Sequence, residues 1–183
     1  MITNNVTDYL EALVNILRSE QKKLANEHGL QLIHLQIIHY LARCNRYSNT
    51  LLVLCEFLGQ TKGTVSTSVS LLEKKQLVRK EADLIDKRKQ HLKLTADGKK
   101  LAKHQSKAWS IAESQYQDGE HQALLAAFDS LLRKLQQGNN YKVFGVCHTC
   151  RHFKRQQGQV ICGLTQEVLQ TDEHQQLCVH HNS

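Results

Sequence analysis

Apolar residues recur at helical spacing through most of the chain, and the pattern predicts two helices first. One runs from Thr7 to about Glu27, and a second follows Gly29 and ends near Leu41. The apolar positions are Leu10, Leu13, Val14 and Leu17 in the first helix, and Leu30, Ile33, Ile37, Ile38 and Leu41 in the second, with Leu35 at its flank. The polar segment 45–49 then breaks the pattern.

A short helical pair and a hairpin follow this break. The third predicted helix spans roughly Thr50 to Leu58, and Thr61 is a suitable N-cap for a fourth helix that runs to about Lys75. Residues 77–80 and 91–94 read as two strands, with the charged segment 83–89 as an exposed hairpin tip. This order predicts a mostly α fold with a small β-wing, a winged helix-turn-helix, in which the second helix of the pair enters the major groove of DNA.

The rest of the chain divides into a helical part and a tail. A helix is predicted from Ala96 to about Gln117 and another from about Glu120 to Gln136. In the last helix an apolar seam suited to a coiled coil comprises Leu124, Phe128, Leu131 and Leu135. Gly138, Asn139 and Asn140 form a linker signal. We therefore predict a domain over residues 1–138 and a cysteine-rich tail over 141–183.

Charge is concentrated in one stretch. Between Lys74 and Lys103 there are eleven basic and four acidic residues, which accounts for the whole net charge of +7. Such a local basic patch is typical of phosphate binding and points to double-stranded DNA. Aromatic residues make up only 5% of the chain, which argues against stacking of single strands. The N-terminus, beginning Met1-Ile2-Thr3, resembles no signal segment, and no apolar run is long enough to span a bilayer, so we expect a cytoplasmic protein without membrane contact.

The candidate DNA-binding residues lie on the fourth helix and in the hairpin tip. Small polar or basic side chains at these positions can reach phosphates and base edges. They are Thr61, Lys62, Thr64, Ser66, Thr67 and Ser70 on the helix, and Lys87, Arg88 and Lys89 at the tip.

Three segments together resemble the MarR family of winged-helix repressors. They are LGQTKGTVS at 58–66, LEKKQLVRK at 72–80 and LTADG at 94–98, with Asp83, Asp86, Lys87 and Arg88 between the last two. The resemblance extends over about residues 7–137. It implies a homodimer built from the first and the last two helices, a palindromic operator, and a pocket for a small-molecule effector between the dimer helices and the DNA-binding lobe. Arg88 matches the family's wing-tip Arg, which enters the minor groove.

Two positions depart from the family pattern. Thr67 stands where the recognition helix of the family often carries Arg, so a bidentate guanine contact is absent there. Gln76 stands where this helix usually ends in Gly, which questions the geometry of its C-terminal cap. Peroxide-sensing relatives typically carry a reactive Cys in the first helix, whereas the first cysteine here is Cys44. We expect Cys44 and Cys55 to be small core residues.

The tail has the cysteine spacing of a metal site. Its four cysteines follow the pattern C-x2-C-x11-C-x15-C and are Cys147, Cys150, Cys162 and Cys178. Because about 40 residues bury little core, a metal would supply the missing stability. Four thiolates suit a structural zinc, and the alternative is a [4Fe–4S] cluster. Four histidines can replace one thiolate: His148, His152, His180 and His181. We expect the backbone to turn tightly at Gly145 and Gly163, which lie near proposed ligands. The alternative to a metal site is a disordered tail whose thiols have no common role.

The favoured function is a non-enzymatic transcription regulator that binds DNA as a homodimer and carries a structural zinc site in its tail. If the tail instead holds an iron–sulfur cluster, the alternative is an iron–sulfur-sensing regulator, in which loss of the cluster switches DNA binding. A second hypothesis is a metal-dependent module in which the tail docks a partner protein. Under the first hypothesis, DNA binding survives deletion of the tail. An enzyme is least favoured, because the chain has no glycine-rich phosphate loop, no nucleophile elbow and no His-Glu-x-x-His pair.

Overall fold

A computed structural model describes residues 5–83, 86–104, 107–138, 143–156 and 158–182. The N-terminal residues 1–4, residues 84–85 of the predicted hairpin tip and the predicted linker residues Asn139 and Asn140 lie outside the described residues. No described helix is both long enough and apolar enough to cross a lipid bilayer.

The described helices and strands of the first 138 residues follow the predicted order. They are α1 (Val6–Glu27), α2 (Leu32–Leu41), α3 (Leu51–Leu58), α4 (Lys62–Lys74), β1 (Val78–Ala82), β2 (Gln90–Leu94), α5 (Ala96–Ala102), α6 (Lys107–Glu113) and α7 (Asp118–Gly138). β1 and β2 pair antiparallel, with Val78 opposite Leu94 and Ala82 opposite Gln90. The mostly helical architecture with a small β-wing is confirmed.

One helix boundary differs from the prediction. The helix expected from Ala96 to about Gln117 ends at Ala102, and a separate helix begins at Lys107. The amide of Lys103 bonds to the carbonyl of Lys100, and the amide of His104 to that of Leu101, so the last turn tightens to i→i−3 bonding and stops. Leu101 is buried, whereas residues 103–107 are all polar and supply no apolar position at which the helix could continue.

The core of this part is built around α2, which contacts α1, α3, α4, α5 and β2. Leu35, predicted at the flank of α2, is instead fully buried, because neighbours pack around most of this helix. Val65, Val69 and Leu72 of α4 are also fully buried, which leaves the opposite face of α4 exposed. α2 therefore holds the helical pair against the rest of the domain.

The C-terminus of α4 keeps the geometry of a glycine cap without a glycine. Gln76 adopts a left-handed backbone conformation with φ of 56°. Its amide bonds to the carbonyl of Glu73 at 2.9 Å, and the amide of Leu77 bonds to the carbonyl of Leu72 at 2.9 Å, which together make a Schellman motif. The chain therefore enters β1 as it would with Gly, and the expected doubt at this cap does not apply.

The tail forms short strands and 3₁₀ turns. β3 (Gly145–Val146) pairs with β7 (Leu177–Cys178), and β4 (Phe153–Gln156), β5 (Gln159–Cys162) and β6 (Glu167–Val168) form a three-stranded antiparallel sheet. The 3₁₀ turns span Cys147–Thr149 and Thr171–Gln175. Its small apolar core includes Cys147, Leu169 and Cys178, so the described tail has a defined fold.

Candidate functional site

The exposed face of α4 carries the predicted DNA-binding side chains. Thr61 is the N-cap of α4, and its Oγ1 accepts a hydrogen bond from the amide of Thr64 at 3.2 Å, as predicted. This cap occupies the Thr61 hydroxyl and orients the first turn. Lys62, Thr64, Ser66 and Thr67 are exposed and Ser70 is half-buried. The structure thus leaves all six residues outside the buried face of α4.

The wing tip is held by a carboxylate. Asp86 accepts hydrogen bonds from the backbone amide of Arg88 at 3.1 Å and from its Nε at 3.0 Å. Both hydrogen bonds from Arg88 lower the pKa of Asp86, and the side-chain bond has the larger effect. The Arg88 side chain is 92% exposed, and Lys87 and Lys89 are also exposed. The three basic residues therefore project from a turn that Asp86 fixes.

The base of the wing is tied to the segment that precedes α3. The amide of Leu92 bonds to the carbonyl of Asn49 at 2.7 Å, and Nδ1 of His91 contacts Oδ1 of Asn49 at 2.5 Å. The other ring nitrogen of His91 lies 2.8 Å from Oδ2 of Asp83. Thr50 forms a β-bridge with His91 and is also the N-cap of α3. Residues 49–50 therefore join the wing to the helical pair.

The four tail cysteines line one small cavity. The volume of this cavity is about 20 Å³, and His152 and His180 also line it. All six cysteines of the chain are free thiols. Within the part of the chain that the structure describes, no group of three or more Cys, His, Asp or Glu side chains is already arranged to hold a metal ion. The structure thus brings Cys147, Cys150, Cys162 and Cys178 together around one space, and their sulfurs do not yet surround a single point.

Hydrogen bonds to sulfur mark this site. Nδ2 of Asn45 lies 3.4 Å from Sγ of Cys147, and the amide of Asn182 lies 3.4 Å from Sγ of Cys150. Cys147 and Cys178 share a hydrogen bond that raises the pKa of Cys147 and lowers the pKa of Cys178. N–H donors stabilise the thiolate form, which is the form that binds metals.

The structure separates the candidate histidines. His152 and His180 line the cavity, whereas His148 is exposed and its ring faces the carbonyl of His174. Nε2 of His181 lies 2.9 Å from Oγ1 of Thr149, and burial lowers the pKa of this ring. His148 and His181 are thus engaged elsewhere.

The expectation of a tight turn is wrong at Gly145 and is confirmed at Gly163, which begins the turn 163–166 between β5 and β6. Neither Gly145 nor Gly163 has a positive φ, and Gly145 lies within β3. A Cβ on Gly145 would lie 2.7 Å from the ring of His181, and one on Gly163 would lie 2.8 Å from Cε of Lys154. The requirement at Gly145 is close packing of a ring, with no unusual backbone conformation.

The α2–α3 loop (residues 42–50) carries side chains whose contacts with the tail the sequence did not indicate. Three residues of its polar segment, which was predicted only as a break between helices, are buried: Asn45 is 1% exposed, Ser48 is fully buried and Asn49 is 7% exposed. Arg46 forms ion pairs with Glu167 at 3.1 Å and Glu173 at 3.3 Å in the tail. These contacts join residues more than a hundred positions apart, so no local pattern could have revealed them.

Apolar side chains remain exposed on α1 and α7. They include Leu13, Val14, Ile16 and Leu17 on α1, and Leu125, Phe128, Leu132 and Leu135 on α7. A cavity of about 830 Å³ lies between α1, α2, α3 and α5, and its lining includes Leu17, Leu24 and His39. Cys44, in contrast, belongs to the core, and burial raises the pKa of its thiol to about 12.

Comparisons with known proteins agree with this fold. A model of the MarR family matches residues 28–89. A MarR transcriptional regulator from Methanosarcina mazei Go1 is 18% identical, with a TM-score of 0.60, over 72% of this chain and 96% of that chain. MepR of Staphylococcus aureus in its DNA-binding conformation is 22% identical, with a TM-score of 0.58, over 72% of this chain and 100% of that chain. MepR in the S. aureus MepR–DNA complex is 19% identical, with a TM-score of 0.56, over 72% of this chain and 99% of that chain.

No curated protein sequence matches the chain. The solved structures are matched over almost their whole length but over less than three quarters of this chain, so this chain carries residues that they lack. At these identities the structures show the fold alone. Residues 28–89 thus match the MarR family, and the chain has the winged-helix fold of MarR regulators.

Proposed function

We propose that this protein is a non-enzymatic transcription regulator that binds a palindromic operator as a homodimer and represses by occupying it. The observation that carries the proposal is the exposed polar face of α4 beside a wing tip from which Lys87, Arg88 and Lys89 project. In this arrangement α4 can enter the major groove of DNA, and the three basic side chains can reach the DNA backbone or the adjacent minor groove. The net charge of +7 is confined to residues 74–103, which run from the last residue of α4 through the wing to the end of α5.

Dimer formation is supported by the apolar faces of α1 and α7. Phe128 and Leu135 of the predicted seam are exposed in the single chain, and Leu124 and Leu131 are half-buried. Contiguous apolar faces of this kind are typical of surfaces that bury themselves against a partner. A twofold axis between such helices would present two α4 helices to one face of DNA, about 34 Å apart.

Zinc is the metal that we propose for the tail, with Cys147, Cys150, Cys162 and Cys178 as its ligands. A cavity of about 20 Å³ accommodates roughly one water-sized sphere. A single ion fits this space after rotation of the thiol side chains. The hydrogen-bond donors at Cys147 and Cys150 further support thiolate ligands.

We also propose a pocket for a small-molecule effector in each chain. The cavity of about 830 Å³ has the size of a ligand pocket and lies where α1 meets the DNA-binding lobe. An effector acts there only if it binds one spacing of the two α4 helices better than another.

The test is selection of binding sites from a library of random duplexes by the full chain, with metal analysis of the same preparation. We expect a palindrome whose half-sites are centred about 10 base pairs apart, and one zinc per chain. A duplex population that stays random contradicts the regulator, and bound iron with sulfide contradicts zinc. A protein that selects no DNA but captures a partner through the tail would instead support an interaction module.

A further inference from the structure

We propose that metal at the tail cysteines controls DNA binding, and that the α2–α3 loop (residues 42–50) transmits the effect. This inference rests on the proposed function of both sites. It replaces the expectation that the tail is an appendage whose removal leaves DNA binding intact.

One side of the α2–α3 loop is held by the tail. The backbone of Leu177, next to Cys178, accepts from the amide of Asn45 at 2.9 Å and donates to the carbonyl of Arg43 at 2.8 Å. The amide of Val179, on the other side of Cys178, donates to Oγ of Ser48 at 3.0 Å. Residues on both flanks of one proposed ligand therefore hold the loop.

A second proposed ligand contacts the loop directly. Nδ2 of Asn45 lies 3.4 Å from Sγ of Cys147. Oδ1 of the same side chain accepts from Oγ of Ser48 at 2.8 Å and from the amide of Tyr47 at 3.2 Å. One buried amide thus links a ligand sulfur to the backbone and to a second side chain of the loop. Asn45 is a positioning residue in this scheme.

The other side of the loop holds the DNA-binding elements. Asn49 bonds to the backbone of Leu92 and to the ring of His91 in β2, and that ring reaches Asp83 at the end of β1. Thr50 caps α3, the first helix of the helix-turn-helix pair. The six consecutive residues 45–50 therefore connect the cysteine cavity with both the wing and the helical pair.

Burial makes this connection depend on the tail. Asn45, Ser48 and Asn49 are each less than a tenth exposed, and polar groups so buried need their hydrogen-bond partners. A metal that binds only the folded tail shifts the equilibrium toward the folded tail. Without it, the contacts of Leu177 and Val179 exchange with water, and the loop loses one of the two surfaces that order it. DNA binding then has to order the wing as well, which weakens affinity.

The direction of the effect follows: zinc tightens DNA binding. By linkage, DNA tightens zinc binding by the same factor. This reciprocity separates coupling from a purely structural role, because a zinc that only stabilises the tail would bind equally well with and without DNA.

The experiment uses the full chain, stripped of metal under reducing conditions, and the duplex enriched by the zinc-loaded protein. Fluorescence anisotropy at constant ionic strength gives DNA affinity with and without zinc, and chelator competition gives zinc affinity with and without DNA. We expect each ligand to tighten the other by about 5- to 150-fold, the usual range of coupling. Asn45→Ala at saturating zinc is expected to bind one zinc per chain with no zinc effect on DNA. The matched control Asn26→Ala, an exposed position on α1, keeps the full effect.

Asn49→Ala is a second variant, because it leaves the contacts of the loop with the tail and removes the side-chain contact with His91. It is expected to reduce the zinc effect as well. The coupling is overturned if zinc binds the wild type without changing its affinity for DNA, or if zinc decreases that affinity. Neither of these results contradicts the zinc site or the DNA-binding site. An unchanged zinc effect in both Asn45→Ala and Asn49→Ala overturns the loop as the route. Failure to bind zinc, or failure to bind DNA in either state, refutes the corresponding site and the coupling with it.

Discussion

The side-chain amide of Asn45 donates a hydrogen bond to the sulfur of Cys147 across 3.4 Å, although the two residues are 102 positions apart. Asn45 belongs to the winged-helix part, and Cys147 begins the first cysteine pair of the tail. The proposed metal ligand therefore has its hydrogen-bond donor in the other part of the molecule. A tail folded in isolation would lack this donor.

The first prediction concerns zinc affinity. Asn45→Ala is expected to lower it by about 10- to 100-fold, because a hydrogen bond that stabilises a ligand thiolate contributes to affinity on that scale. Chelator competition measures the change. Asn49→Ala, which leaves the bond to Cys147 in place, serves as the control and is expected to keep wild-type zinc affinity. Equal losses in the two variants would indicate a general disturbance of the loop.

The second prediction concerns the wing tip. Arg88→Ala is expected to weaken binding to the selected duplex by roughly tenfold, the lower end of the range for one specific contact. Arg88→Lys keeps the charge but lacks the planar guanidinium that suits a narrow groove. Its affinity for the duplex is therefore expected to lie between that of the wild type and that of Arg88→Ala. Anisotropy titrations at several salt concentrations give the affinities. Lys23→Ala on α1 removes an exposed charge of the same sign, and a similar loss in that variant would reduce the Arg88 effect to net charge.

The third prediction concerns the stability of the α4 cap. Gln76→Gly is expected to raise the free energy of unfolding by about 0.5–1 kcal/mol, because the left-handed conformation strains a side chain but not glycine. Urea denaturation of zinc-loaded protein measures this. Lys74→Gly, at the last helical residue of α4, gains no such relief and is expected to destabilise. A destabilising Gln76→Gly would mean that its side chain makes contacts that outweigh the backbone strain.

The fourth prediction concerns pH. Burial, and secondarily the charge of Lys75, lower the pKa of His34, whose Nδ1 accepts a hydrogen bond from the amide of Gln31 at 3.0 Å. The folded state therefore holds His34 neutral, while the unfolded chain takes up a proton near pH 6.5. The stability contributed by the neutral ring is present above about pH 6.5 and is lost as the pH falls through that value toward the folded pKa.

His34→Gln tests this, because Gln at the same helix position can retain the capping bond without titrating. Unfolding free energies between pH 7.5 and 5.5 are expected to fall more steeply for the wild type than for the variant. The difference in slope is at most about 1.4 kcal/mol per pH unit, the value for one proton. Parallel curves would show that another group governs the acid sensitivity.

The sequence alone was sufficient to predict the order of helices and strands in the winged-helix part, because local sequence patterns indicate that order. Apolar spacing located α1 to α4, and a capping threonine at position 61 marked the start of α4. The segment 58–66 and the wing residues around Arg88 indicated the MarR family, whose model matches residues 28–89. Helical spacing cannot locate a helix end within a stretch that has no apolar positions. We therefore predicted one continuous helix where the structure has a break after Ala102.

The cysteine spacing determined which side chains to group, since two thiols two residues apart can face one space. What only the tertiary structure decided is where that space lies and what touches it. Asn45, Arg46 and Ser48 read as an ordinary polar loop, because nothing adjacent in the chain reveals a partner more than a hundred residues away. The burial of Asn45 and Ser48 depends on β7 returning to the loop, a long-range pairing that local propensity does not encode. Composition and spacing thus determined the two candidate sites, and the tertiary packing of the tail on residues 42–50 decided that they are connected.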